Sequence, residues 1–277
     1  MGGPAILVSH SHRFIYLKTA KTAGTSVEIY FEPLCVPDPA TYVAEHATDM
    51  KVSDAGVVGL RAPGARTDGV PFYSHMPAAD VRILVGEAVW SRYLKFAVVR
   101  NPFEKVVSAF WAKNKGEPVL SADALASGTT DFAAVKALFR DWVEDKQGRV
   151  SFDREAYAID GEVVVDHIIR YETLVRDVEA VRVAIGSPCL PPLAHYKGGA
   201  RCLSAPFSAY YCARTRDLVA RAFAWELERF GYAPPDIDAH DRLTEPTRAQ
   251  GALGRRRSTE TGAPAGERPR PSRRAIR

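Results

Sequence analysis

Phe14-Ile-Tyr-Leu-Lys18-Thr-Ala-Lys21-Thr-Ala-Gly24-Thr25-Ser26-Val27-Glu28 joins three kinds of sequence in one short stretch. The apolar run over 13–17 reads as a buried strand. A polar loop follows with two lysines, a glycine and several hydroxyls. A helix over 25–34 then begins at once and ends near Pro33. Loops of this build hold phosphate-like anions, because N–H groups at a helix start point outward unpaired and the helix dipole favours negative charge there. The spacing of Thr25 and Glu28 also predicts a capping box at that helix start.

A second stretch repeats the pattern. Residues 95–99 are apolar and β-rich, as buried parallel strands are. Arg100 then sits at the strand's carboxyl end. Pro102 suits a first helical turn, where its missing N–H is not needed. Phe103, Val106, Val107 and Phe110 follow at helical spacing, and Ser108 lies two turns in. In open α/β sheets ligands bind beyond the carboxyl ends of strands. An arginine fork and a serine hydroxyl there suit a second anion.

Outward from these stretches, helical spacing covers 79–91 and 129–146, the latter with Asp131 as cap, and residues 163–169 read as a third strand. Leu174, Val178, Val181 and Ile185 mark another helix. Val219, Phe223, Leu227 and Phe230 mark a last one, closed by Gly231. The stretch 35–72 is rich in Pro, Gly, Asp and Ala and reads mostly as loop, with a candidate strand at 57–60. Alternating strands and helices predict an α/β, P-loop-like, three-layer fold with a central parallel sheet flanked by helices. We expect one domain over 1–238. Beyond it hydrophobic patterning stops, and 239–277 read as a basic, disordered tail.

The 277 residues, 46% of them hydrophobic, suffice for a large core. Residues 239–277 hold ten arginines against four acidic residues, a net +6, so the remaining 27 basic and 29 acidic groups give −2 against the chain's total of +4. Any anion site in the body must therefore be local. No apolar window reaches the ~18 residues of a membrane span. The first twelve residues have neither a basic region nor a long apolar stretch, so no secretory signal is expected. Cys35, Cys189, Cys202 and Cys212 form no CxxC pair. Neither a zinc site nor a disulfide framework is indicated, and a cytoplasmic location is expected.

The first loop departs from a Walker A motif. Lys21 precedes Gly24 by three residues, no glycine opens the loop, and no acidic strand end offers a magnesium ligand. The loop still offers Lys21, Thr22, Ala23, Gly24, Thr25 and Ser26 to one phosphate or sulfate, with Lys18 as a second cation. His75, in Tyr73-Ser74-His75-Met76-Pro77, lies in a polar break, and an imidazole titrating near pH ~6.5 suits a general base. A capping or packing histidine is the alternative there. His195-Tyr-Lys197-Gly198-Gly199-Ala-Arg201 forms a third basic loop, which either closes over a ligand with Lys197 and Arg201 or is a solvated turn.

Together the Lys21-Thr-Ala-Gly24-Thr25-Ser26 and Arg100-Asn-Pro-Phe…Ser108-Ala-Phe stretches resemble the sulfotransferases that use 3′-phosphoadenosine-5′-phosphosulfate (PAPS). The closer likeness is to the carbohydrate-type group, including the heparan sulfate 2-O-sulfotransferases and their bacterial relatives. It spans roughly residues 12–233, and Ala20 stands where the group usually has proline. The resemblance implies that Lys21 contacts the 5′-phosphate and bridging oxygen, that Arg100 and Ser108 hold the 3′-phosphate, and that His75 is the base. It implies PAPS as donor, no metal, and a hydroxyl-bearing acceptor such as a carbohydrate. Two other readings stay open from the residues alone. One is a phosphotransferase or nucleoside triphosphatase on the same core. The other is a non-enzymatic nucleotide or nucleic-acid binder acting through the tail, although no specific nucleic-acid motif is present. Neither the acceptor's identity nor an oligomeric state is encoded in any motif.

Overall fold

A computed structural model describes residues 6–40, 42–43, 49–59, 69, 72–73, 75–121, 131–194 and 205–237. Residues 239–277 and the third basic loop, with Lys197 and Arg201, lie outside them.

The central sheet has the strand order β3-β4-β1-β2-β5-β8. Its members are β1 (Leu7–Ser9), β2 (Phe14–Leu17), β3 (Lys51–Ser53), β4 (Gly56–Val58), β5 (Leu94–Val99) and β8 (His167–Arg170). Strands β2, β5 and β8 run parallel, with Leu17 level with Ala97 and Val99 level with Arg170. The other half is antiparallel: β1 pairs with both β2 and β4, and β3 pairs with β4. The sheet is thus mixed, not parallel throughout. Of the antiparallel strands, β4 overlaps the candidate strand at 57–60, while β1 and β3 carry no sequence signal because each is only three residues long and β3 sits within a Gly- and Asp-rich stretch that reads as loop.

Helices cover the sheet. They are α1 (Gly24–Phe31), α2 (Ala78–Val85), α3 (Glu87–Arg92), α4 (Pro102–Lys113), α5 (Phe132–Asp145), α6 (Leu174–Ala184), α7 (Ala213–Ala222) and α8 (Ala224–Phe230). The expected helix over 79–91 is two helices. Gly86, at φ 79°, ends α2 and begins α3. The last expected helix also breaks, at Phe223, and Gly231 closes it in the left-handed region. The third strand is shorter than expected, because residues 158–159 and 162–163 turn aside as a small hairpin, β6 and β7 (Ala158–Ile159 and Glu162–Val163). Asp131 caps α5 by accepting the Ala133 N–H, as its position predicts.

Side chains alternate across the strands and feed two cores. Phe14, Tyr16, Phe96 and Val98 pack with Val27 and Phe31 of α1 and with Val178 and Val181 of α6. Ile15, Leu17, Ala97 and Val99 pack on the other face with Met76, Val81, Trp90, Tyr157 and Phe230. A third core joins α4, α5 and α7 around Phe103, Phe110 and Phe139. No helix among the described residues is long and apolar enough to cross a membrane.

Phe96 stands at the centre of the first core. Its ring lies 5.6 Å from Phe14, 5.1 Å from Tyr16 and 5.0 Å from Phe31. Replacing Phe96 by Ala is expected to cost about 3–5 kcal/mol of stability, read from urea unfolding at constant m.

Candidate active site

Strands β2 and β5 are parallel neighbours, so the loops that leave their carboxyl ends emerge side by side. One hydrogen bond ties the first loop to β5, and a second joins the two loops. Thr19 donates its hydroxyl to the Val98 carbonyl at 2.5 Å. The Arg100 guanidinium donates from Nη1 to the Lys21 carbonyl at 3.0 Å. The same guanidinium pairs through Nε with Glu104 at 3.2 Å and lies 3.9 Å above the Tyr171 ring. Both anion-suited elements found in the sequence therefore share one edge of the sheet.

Within the first loop the chain is held in rarely used conformations. Lys21 and Ala23 have φ near +60°, and Ala23, at the N-cap of α1, is left-handed. Such residues cost of order 1–3 kcal/mol each and cluster at functional sites. The capping box does not form, since the start of α1 has no side-chain cap. The first amide to bond back is that of Ser26, to the Ala23 carbonyl. The Gly24 and Thr25 amides make no bond within the helix and face the dipole's positive end.

Glu28 is absent from that cap because it turns inward. Its carboxylate, fully buried, takes the Lys18 ammonium at 2.5 Å. Lys18 is itself 4% exposed, so its charge is spent inside the fold. Gly24 is needed for this pair: a Cβ there would lie 2.7 Å from Lys18 Cε. Thr22 is also internal, with its hydroxyl 2.8 Å from that of Thr19. Thr25 and Ser26 are buried on the first turn of α1, and Lys21 is half-buried. Ser108 is half-buried two turns into α4, whose start Asn101 caps by accepting the Phe103 N–H.

His75 reaches the same loop from the segment before α2. Its Nδ1 lies 3.2 Å from the Lys18 carbonyl. A carbonyl oxygen only accepts, so Nδ1 carries the proton and Nε2 keeps its lone pair. Burial pushes the imidazole below its ordinary pKa. The Lys18 carbonyl and Asp153 oppose that shift, while the Lys18 and Lys105 ammonium groups add to it. His75 is therefore neutral near pH 7. Its backbone too is left-handed, at φ 54°.

The sulfotransferase family model matches residues 4–187, which is 184 of the 277 residues and spans both loops and His75. The chain belongs to the sulfotransferase family. It is a transferase, and its chemistry is the movement of a sulfuryl group. Neither a curated protein nor a solved structure matches the chain.

Two buried groups of this sulfotransferase, Asp153 and Lys105, escaped the sequence reading. Asp153 accepts the Ala20 N–H at 2.6 Å and pairs with Lys105. Lys105 had a signal, a lysine among Phe103, Val106 and Val107 on a helix expected to be buried. Asp153 lies in a turn and had none. Glu172 accepts the Asn101 N–H at 2.7 Å and so steadies the second loop. Among the described residues no cluster of His, Cys, Asp or Glu could hold a metal ion.

Breaking the pair inside the first loop tests how much the loop depends on it. Glu28→Gln leaves the Lys18 ammonium buried without its counter-charge. The expected loss is about 3–5 kcal/mol in denaturant unfolding.

Proposed function

We propose that this sulfotransferase uses PAPS as donor and transfers its sulfuryl group in line to a hydroxyl, on a carbohydrate or another small alcohol. The observation that carries this reading is the bond from Arg100 to the Lys21 carbonyl, which sets two cationic loops side by side. A donor with separated 5′ and 3′ anionic groups fits that pair. The uncapped amides of Gly24 and Thr25 fit a phosphate at the first loop. Lys21, Thr22, Ala23, Gly24, Thr25 and Ser26 would form the 5′ side, and Lys18 supports the loop through Glu28. Arg100 and Ser108 would form the 3′ side. Lys197 and Arg201 join the set on sequence grounds, as a loop that closes over the phosphates. The core is P-loop-like in this reading, and the carbohydrate type follows the likeness of the Lys-Thr-Ala-Gly-Thr-Ser loop.

The donor supplies the sulfuryl group and a phosphate leaving group. His75, neutral and with Nε2 unprotonated, takes the proton of the acceptor hydroxyl. The acceptor oxygen forms its bond to sulfur as the bond from sulfur to the bridging oxygen breaks. Lys21 offsets the charge that grows on the leaving phosphate, where a fixed cation lowers the barrier. No step requires a metal ion. A nucleoside triphosphatase on this scaffold would need a magnesium carboxylate.

Thermal-shift measurements separate these readings. 3′-Phosphoadenosine-5′-phosphate should raise Tm, whereas AMP and magnesium-ATP should not. Arg100→Ala should abolish the rise, and equal stabilisation by magnesium-ATP would overturn the donor assignment.

A second test concerns the base. Turnover should fall on the acid side as His75 is protonated, with a midpoint below pH ~6.5 because burial disfavours the imidazolium. His75→Ala should lower kcat by about 10²–10⁴ and remove that acid limb while leaving bisphosphate binding intact.

A further inference from the structure

The site contains a buried carboxylate that the transfer chemistry does not use. Asp153 and Lys105 are each more than nine-tenths buried and form an ion pair. Burying two charges costs several kcal/mol per ion before their attraction repays it. One carboxylate oxygen is enough to neutralise Lys105. The other reaches away from it, to the backbone amide of Ala20 at 2.6 Å.

Ala20 sits between the end of β2 and the start of α1, where neither element offers its amide an acceptor. The residue after it, Lys21, has φ 62°. Strained backbone of this kind persists only when its surroundings over-determine it. Here Asp153 grips the Ala20 N–H on one side, and Arg100 grips the Lys21 carbonyl on the other. Lys105 belongs to α4, the helix that follows Arg100. The bridge from Ala20 through Asp153 to Lys105 thus ties the first loop to the helix of the second.

We propose that Asp153 is a positioning residue, a buried strut whose two oxygens lock the loop carrying Lys21 to α4. It presets the spacing of the two anion cradles, and an N–H at position 20 is required for it to do so. The consequence for nucleotide binding rests on the donor reading above, whereas the strut itself does not.

Asp153→Asn tests this with little change of shape. An amide oxygen can still accept from Ala20, but the charge that holds Lys105 is gone. Asp153→Ala removes both bonds. The Ala20 amide should exchange with solvent about tenfold faster in Asp153→Asn, and faster again in Asp153→Ala. The Kd for 3′-phosphoadenosine-5′-phosphate should rise about tenfold or more in the same order. The charged groups facing His75 are Asp153, Lys18 and Lys105. Withdrawing the one anion should therefore move the His75 titration, followed by NMR of the free protein, to lower pH. A packing role alone would not move it.

Unchanged exchange in folded Asp153→Asn would overturn the strut. Faster exchange with wild-type nucleotide affinity would overturn its positioning role. If the unaltered chain does not bind the bisphosphate, the donor reading fails separately, and the Ala20 exchange rate and His75 titration alone judge the strut.

Discussion

The parallel pairing of β2 with β5 is the constraint from which the site follows. Neighbouring strands lie about 4.8 Å apart. Their register sets Leu17 level with Ala97, so Lys18 and Val98 come next together. Any loop leaving β2 then begins beside the loop leaving β5. A slip of one residue would exchange the two faces of β2, placing Phe14 and Tyr16 where Ile15 and Leu17 now pack. Both faces are apolar but they differ in shape, since β2 presents aromatic rings to one and aliphatic chains to the other. The ladder around Phe96 therefore does more than stabilise the core. It fixes the register that lets the Arg100 guanidinium meet the Lys21 carbonyl.

Charge in the site is sorted by depth. Lys18 and Lys105 lie inside and have carboxylate partners inside, Glu28 and Asp153. Arg100 is nearer the surface, with Glu104 and the Tyr171 ring as supports. The buried pairs shape the loops, and Lys21 and Arg100 are only half-buried. This division explains why one lysine-rich stretch contains residues of different kinds. Lys18 and Lys21 are three positions apart, yet the first is sealed against a helix and the second stands on a strained turn.

Much of the architecture was legible because it rests on periodicity. The β2 and β5 strands, the start of α4 at Pro102 and the Asp131 cap all follow from local patterns of apolar spacing and capping chemistry. The site's charged loops were legible for the same reason, as polar breaks directly after apolar runs. What escaped depends on distant contacts. The spacing from Thr25 to Glu28 matches a capping box, but burial of Lys18 draws Glu28 inward and leaves the helix start open. Asp153 is 133 residues from Ala20, and nothing in either neighbourhood announces their bond. The strands β1 and β3 were hidden by brevity, since three residues are too few to show a period, whereas β4 overlaps the strand expected at 57–60.

The strained residues give the same lesson from the side of energy. Lys21, Ala23 and His75 all adopt left-handed backbone that glycine would occupy more cheaply. Glycine at those positions would also lose the ammonium and the imidazole, and would leave the loop freer. Lys21 and His75 are instead held by groups outside their own segments. Arg100 holds the Lys21 carbonyl, Asp153 holds the amide before it, and the Lys18 carbonyl holds His75. The Lys18 carbonyl matters twice over. It fixes the His75 tautomer, and it belongs to the residue whose ammonium is locked to Glu28. A shift of Lys18 would therefore disturb His75 and the first loop together. The interior ion pair and the His75 imidazole are parts of one mechanical unit, and a charge sealed inside the fold sets the geometry of the loop around it.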